Sequence, residues 1–379
     1  MSEFISFASP KRENEMFRNE ILTATGKAID SGDFMLGVSV KNFEIEFANF
    51  LSTPYCIGVG SGTDALILAM LSLGISAGDE VLVPSFTAAA TVVAIQNVGA
   101  LPVFLDIGED DYCVNPDLIK TSVTTRTKAL ILVHLYGSTG DIESIVQLCK
   151  EFGIFLIEDC AQSAGAKYLE HRLGTFGDIS CFSFYPTKNL SAIGDGGAVV
   201  TNNSGLAESV MRKRQYGWDR NRECVESGML SRLDELQAKI LLEKLTHLDA
   251  LNSERRVIAR QYDDCLSNYE LTRYGLNTSV AHAHHLYVIE VVDREESLKL
   301  AQKYWINLGI HYKKSVHQQA FFQRIPLKQN LINSEIAANR VISLPMYPQL
   351  NESERERVLG FIEVLCRKNL IAKGPRLWV

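Results

Sequence analysis

A lysine set among aromatic and small residues is the first feature of this sequence with chemical potential. It is Lys188, in Ser183-Phe-Tyr185-Pro-Thr-Lys-Asn-Leu190, just before the glycine turn Gly194-Asp-Gly-Gly197. Most lysines lie on solvated faces, and these neighbours do not make one. A second segment, Leu156-Ile-Glu-Asp159-Cys-Ala-Gln162-Ser163, ends an apolar run on a carboxylate. That position is the carboxyl edge of a parallel sheet, where α/β folds bind ligands; an N-cap for a following helix explains Asp159 equally well. A third segment, Gly58-Val-Gly-Ser-Gly62-Thr63-Asp64, runs into an apolar stretch. Glycines allow a tight turn there, and a helix N-terminus offers N–H groups and a positive dipole end to a phosphate. Its spacing fits neither GxxxxGK[ST] nor GxGxxG, and a plain turn capped by Thr63 or Asp64 is the competing reading. Lysine, carboxylate and phosphate cradle together are what Schiff-base chemistry with pyridoxal phosphate needs. The amine forms an imine with the aldehyde, the carboxylate keeps the pyridine nitrogen protonated, and helix N-termini hold the phosphate. A desolvated amine near a cationic ring titrates below the ~10.4 of free lysine, which permits proton shuttling near neutrality.

The elements that must position these residues alternate. Asp64–Leu73 is too long and leucine-rich for a strand and reads as a buried helix. Glu80–Pro84 is a strand, Thr87–Val98 a helix, Leu101–Asp106 a strand, Ala129–His134 a strand, Ile142–Phe152 a helix and Ile154–Asp159 a strand. Strands alternating with helices mean βαβ units and a mostly parallel sheet covered on both faces. After about residue 201 the spacing changes. Asp234 to about Asp264 is mainly helical, with apolar Leu236, Ile240, Leu241 and Leu245 at helical spacing. His285–Val292 reads as a strand in a smaller α+β segment with helices at Ser297–Leu308 and Glu352–Arg367. The expected division is residues 1–245 and 246–379, an α/β domain and a small α+β domain, joined by a helix.

Composition sets the outer limits. The 379 residues are 46% hydrophobic and 22% charged, a globular balance. Lys plus Arg is 38 against 45 Asp plus Glu, net charge −7, which argues against a nucleic-acid binder. The eight cysteines are scattered with no CxxC pair, which speaks against a zinc or redox site and suits a reducing cytosol. Met1–Phe7 has no basic-then-apolar pattern of a signal peptide, and no apolar run is long enough to span a bilayer. His282, His284 and His285 look like a metal cluster but lack a completing ligand, and a turn into a strand explains them.

The three segments, in this order, resemble the DegT/StrS-type nucleotide-sugar aminotransferases, which are fold type I pyridoxal-phosphate enzymes. The likeness continues through Ser231-Arg-Leu-Asp-Glu-Leu-Gln-Ala238, His285-Leu-Tyr-Val288 and Ser343-Leu-Pro-Met-Tyr-Pro348, and so covers most of the chain. It implies a mainly parallel seven-stranded sheet in the large domain. It further implies that Lys188 carries the cofactor and shuttles the proton, Asp159 pairs with the pyridinium nitrogen, and Gln162 lies by the ring 3-hydroxyl. Gly62 and Thr63 N–H groups and the Ser183 hydroxyl would take the phosphate, with Tyr185 and His317 on the substrate side. Two positions depart from the family. Ala88 stands where an aromatic residue commonly stacks on the ring, with Phe86 as the possible substitute, and Leu230 where an asparagine reaches the neighbouring subunit's phosphate.

The expected activity is transfer of an amino group from glutamate to a nucleotide-linked, dTDP-type keto-deoxysugar at C3 or C4, in a cytoplasmic homodimer with shared active sites. A cyclitol ketone on the same scaffold is the nearest rival, and a non-catalytic pyridoxal-phosphate binder a rival of another class. Sugar dehydratases of this scaffold carry histidine at the position of Lys188.

Overall fold

A computed structural model describes residues 4–108, 111–271 and 279–372. Seven strands form the central sheet: β1 (Tyr55–Val59), β2 (Glu80–Pro84), β3 (Leu101–Leu105), β4 (Thr127–Val133), β5 (Phe155–Asp159), β6 (Ile179–Ser183) and β7 (Gly197–Thr201). Their order is β1-β7-β6-β5-β4-β2-β3. Only β7 runs antiparallel to its neighbours; every other pairing is parallel.

Burial on both faces explains why the strands read as unbroken apolar runs. In β4, Ala129, Ile131 and Val133 point into one core with the helix Gly62–Ser72, while Leu130 and Leu132 point into another with the helix Ile142–Phe152. Under the other half of the sheet, Phe182, Ala198 and Val200 pack on Phe43 and Phe47 of the helix Val38–Leu51 and on Leu241 of the helix Glu235–Leu245. The helix Gly62–Ser72 lies against β6 and β7. Its residues Ala65 to Met70 are all buried, hence its lack of a polar face.

Helices 142–152 and 352–367 have the bounds the sequence pattern indicates. Other segments differ. The helical stretch after 234 is two helices, Glu235–Leu245 and Leu248–Ser267, broken at Thr246 and His247. The helix expected at Ser297–Leu308 starts earlier, at Arg294, where Asp293 caps it by accepting from the Glu296 N–H at 2.8 Å. It ends at Lys303, because Ile306–Asn307 pairs in parallel with Ile5–Ser6. That pairing also brings the start of the chain to the second lobe, whose core holds Ile5 with Ile258, Tyr262, Tyr287 and Phe361. Residues 1–3 of the amino-terminal heptapeptide lie outside the described residues.

The second lobe pairs Tyr287–Glu290 antiparallel with Val341–Leu344. Leu286, Val288 and Val341 join the core of the large sheet, so the lobes share apolar packing. All eight cysteines are free, and all but Cys224 are buried, as small hydrophobes are. Among the described residues, no helix is long and apolar enough to cross a membrane.

Candidate active site

Asp159, Lys188, Ser183 and the glycine turn come together at the carboxyl ends of β5 and β6. Asp159 is the last residue of β5 and is buried. Its Oδ2 accepts from the Thr91 hydroxyl at 2.9 Å, and its Oδ1 from the Ala161 N–H at 3.1 Å. No helix follows it; residues 160–166 are turns, so the N-cap reading of Asp159 is corrected. Burial pushes its carboxyl up, opposed by those two donors and by Lys188. A cation set against it reverses that shift, and a protonated pyridine nitrogen is such a cation.

Lys188 follows β6 in the loop 184–190, where its N–H bonds the Tyr185 carbonyl at 2.8 Å. Burial brings its ammonium down to about 8, with Asp159 acting in the opposite sense. It therefore gives up its proton more readily than a solvated lysine does. The loop is pinned on both sides. On one, the Asn189 side chain donates to the Asn252 Oδ1 and the Ala283 carbonyl; on the other, the Ser191 hydroxyl bonds Glu13, which is paired with Lys244. Asn189, Asn252 and Glu13 have no signal in the sequence, because their roles depend on partners far away in the chain.

The glycine turn opens the helix Gly62–Ser72, and its cap is Ser61, which accepts from the Asp64 N–H at 3.1 Å, rather than Thr63 or Asp64. A Cβ at Gly62 would stand 2.6 Å from the Ser183 Cβ, so only glycine lets the helix start lie against the end of β6. Gly197 is needed for the same reason, since its Cβ would meet the Ser61 carbonyl oxygen at 2.4 Å. Among the described residues neither the Gly62 nor the Thr63 N–H has an acceptor. Ser231 braces this turn: its hydroxyl accepts from the Gly60 N–H at 2.9 Å and donates to Asp64 at 2.8 Å. Next to it, Leu230 is 49% exposed.

Gln162 is buried, its Oε1 accepting from the Tyr136 N–H at 2.7 Å and its Nε2 donating to the Tyr312 hydroxyl at 3.0 Å. His311 faces Lys188, and burial and that charge lower its imidazole to about 4. Tyr185 is exposed, Phe86 is fully enclosed with its ring toward Tyr112 and Tyr312, and Ala88 caps the helix Ala89–Asn97. His317 is buried with both ring nitrogens engaged, Nδ1 with Ser85 and Nε2 with Glu335. It lines a cavity of about 650 Å³ shared with Arg294, Lys313 and Lys314. Sequence reading missed Tyr312 and Thr91, which reach Gln162 and Asp159 from distant segments.

A lysine poised near neutrality, a buried carboxylate, a glycine-bounded helix N-terminus and a mainly parallel seven-stranded sheet define a fold type I pyridoxal-phosphate transaminase. The match to the DegT/DnrJ/EryC1/StrS aminotransferase family spans residues 15–363, and the chain belongs to that family. It is 42% identical over 355 residues to the dTDP-3-amino-3,4,6-trideoxy-alpha-D-glucose transaminase of Micromonospora megalomicea subsp. nigra, covering 92% of this chain and 95% of that protein. It is 40% identical to the UDP-N-acetyl-3-dehydro-alpha-D-glucosamine 3-aminotransferase of Acidithiobacillus ferrooxidans, covering 91% and 93%. Among solved structures, S. venezuelae DesV superposes with a TM-score of 0.93 at 36% identity, covering 96% of this chain and 99% of that one. The protein is therefore a transaminase, and its cofactor is the family's pyridoxal 5'-phosphate.

Proposed function

We propose that this transaminase moves an amino group from glutamate to a keto-deoxysugar carried on a nucleoside diphosphate, dTDP in the first instance, at C3 or C4. The names of the relatives support the substrate class, and they favour C3, since both describe 3-amino sugars on a nucleotide. The observation that carries the chemistry is the half-buried Lys188, with its ammonium lowered to about 8, in the field of the buried Asp159.

The bound cofactor supplies an electron sink for the substrate carbon that loses its proton. Lys188 provides the amine that anchors it and carries that proton, on Nζ, between the two carbons concerned. Asp159, held by Thr91 and Ala161, keeps a cationic ring nitrogen paired through a charge-assisted hydrogen bond. The N–H groups of Gly62 and Thr63 and the Ser183 hydroxyl bind the phosphate, and Gln162 orients the ring hydroxyl. Phe86 backs the ring site from within the core through Tyr312. Tyr185, being exposed, faces the substrate. His317, fixed by Ser85 and Glu335, shapes the wall beside Lys313 and Lys314.

The working form is a cytoplasmic homodimer whose partner closes the site. Exposed Phe34, Met35 and Ile193 support this, because all three gather on the 234–237 segment near Leu230. Phe34 accepts from the Glu235 N–H, Met35 bridges to Asp234, and the Ile193 N–H donates to Gln237. The test is borohydride reduction of the yellow protein followed by peptide mapping, then amination of a panel of dTDP- and UDP-linked 3-keto and 4-keto sugars with glutamate as donor. The label is expected on Lys188 and turnover on a 3-keto sugar. A label elsewhere sinks the site, and turnover only of non-nucleotide ketones sinks the substrate class.

A further inference from the structure

We propose that Asn189 is a positioning residue for Lys188, locked in one orientation by Asn252 and by the imidazole of His285 across the seam between the lobes. Asn189 is buried beside the reactive lysine. Its Nδ2 lies 2.7 Å from the Asn252 Oδ1 and 2.8 Å from the Ala283 carbonyl oxygen, and its Oδ1 lies 3.1 Å from the His285 Nδ1. The Asn252 Nδ2 in turn lies 2.9 Å from the Ala164 carbonyl oxygen. Backbone carbonyls only accept, so the two at the ends of this chain, Ala164 and Ala283, decide every amide in it. Asn252 must offer its oxygen to Asn189, and Asn189 must spend both N–H groups on Asn252 and Ala283. Its oxygen then accepts, which makes His285 the donor and fixes its proton on Nδ1.

The titratable groups acting on His285 are Lys188, Arg255 and His311, and all three oppose its protonation. Burial and those neighbours hold the imidazole neutral well below its usual range. The tautomer is therefore kept over the pH range in which Lys188 titrates. Asn252 sits on the helix Leu248–Ser267, and His285 stands just before the strand Tyr287–Glu290. The backbone around them is stitched to the cofactor side as well: the His285 N–H bonds the Tyr136 carbonyl, and Tyr136 bonds Gln162. A single amide thus ties the lysine loop to the second lobe, and the place of the Lys188 amine depends on how that lobe sits.

The inference rests on Lys188 anchoring the cofactor, which borohydride labelling of the unaltered enzyme tests separately. Three holoenzyme variants test the inference itself: Asn189→Ser, His285→Phe and His285→Gln. The first two should lower kcat about ten- to hundred-fold, since small misplacement of a reacting group has effects of that order. KM for the nucleotide sugar should stay within about twofold, because no group touching substrate is removed. The pH at which the bound cofactor's visible band titrates should move by on the order of half a unit, reporting a changed setting of Lys188. His285→Gln still offers an N–H and should recover most of the loss. If His285→Phe does not fold, Asn189→Ser decides alone. Variants that lower Tm while leaving kcat and the titration unchanged would overturn the proposal, as would a His285→Gln no better than His285→Phe.

Discussion

Glu158 and Asp159 are consecutive, both buried, and both carboxylates at the end of the same strand, yet the protein treats them in opposite ways. Glu158 has four donors: His134 at 2.9 Å and the N–H groups of Gly174 at 2.8 Å, Phe176 at 2.7 Å and Gly177 at 2.7 Å. Burial alone would raise its carboxyl, but those donors hold it below the usual range. Asp159 has two donors, and its carboxyl is raised. Successive residues of a strand face opposite sides of the sheet, so one carboxylate knits loop 174–177 to the structure while the other opens toward Lys188. Saturation marks the structural carboxylate, and unmet acceptor capacity marks the one kept for a cation. His134, Glu158 and Cys160 lie close enough to hold a metal ion, but the lone pairs of Glu158 are already taken and burial holds the Cys160 thiol protonated.

The largest effect should come from Asp159→Asn, which keeps shape and removes charge. The glutamate half-reaction, followed by stopped-flow absorbance, should slow by about 10²- to 10³-fold, the usual loss when a group stabilising transition-state charge is removed. Stability should move the other way. The folded carboxyl pKa is raised, so ionised Asp159 costs the cofactor-free protein stability at neutral pH, and this cost disappears once pH falls below the unfolded carboxylate value. Cofactor-free Asp159→Asn should thus match or exceed the unaltered protein in urea at pH 7. A rate near that of the unaltered enzyme would make Asp159 another Glu158.

Glu158→Gln should show the reverse pattern. Turning one carboxylate oxygen into an amide leaves a buried donor without its acceptor, which costs about 1–3 kcal/mol, read as a lower urea midpoint at pH 7, with the rate per folded molecule changed no more than a few-fold. Because the folded pKa of Glu158 is lowered, its stabilisation is present above the unfolded carboxylate value and is lost as pH falls through the folded one. The gap between variant and unaltered protein should therefore narrow on acidification. A gap that widens toward acid would contradict the assignment.

The smallest effect is at Leu230. Replacing it by Asn offers one neutral hydrogen bond, about 0.5–1.5 kcal/mol net, or up to about tenfold in affinity. Titration of cofactor-free protein with pyridoxal phosphate should show modestly tighter binding in Leu230→Asn. Weaker binding, with the oligomeric state unchanged, would mean that this chain has rebuilt its phosphate site without an amide at this position.

Chain periodicity alone determined the alternating strands and helices and the ordering of lysine, carboxylate and glycine turn. Those signals are local: a buried parallel strand needs an apolar run, and a helix laid against a strand end needs glycine at the contact. The helix 62–72 and the strand ending at Asp159 were legible for that reason, and the twin cores on either side of β4 follow from its run Ala129-Leu-Ile-Leu-Val133. Periodicity did not separate Glu158 from Asp159, whose role came from the family resemblance, because both stand in the same apolar strand and differ in which donors reach them. Those donors come from Thr91 and Ala161 for Asp159, and from His134 and the 174–177 loop for Glu158. The tertiary structure likewise decided that Ile5 belongs to the second lobe and that Asn189, Asn252 and His285 meet beside Lys188. Hydrogen bonds between side chains distant in sequence leave no periodic trace, since each needs only one polar residue at a place set by the packing of everything else.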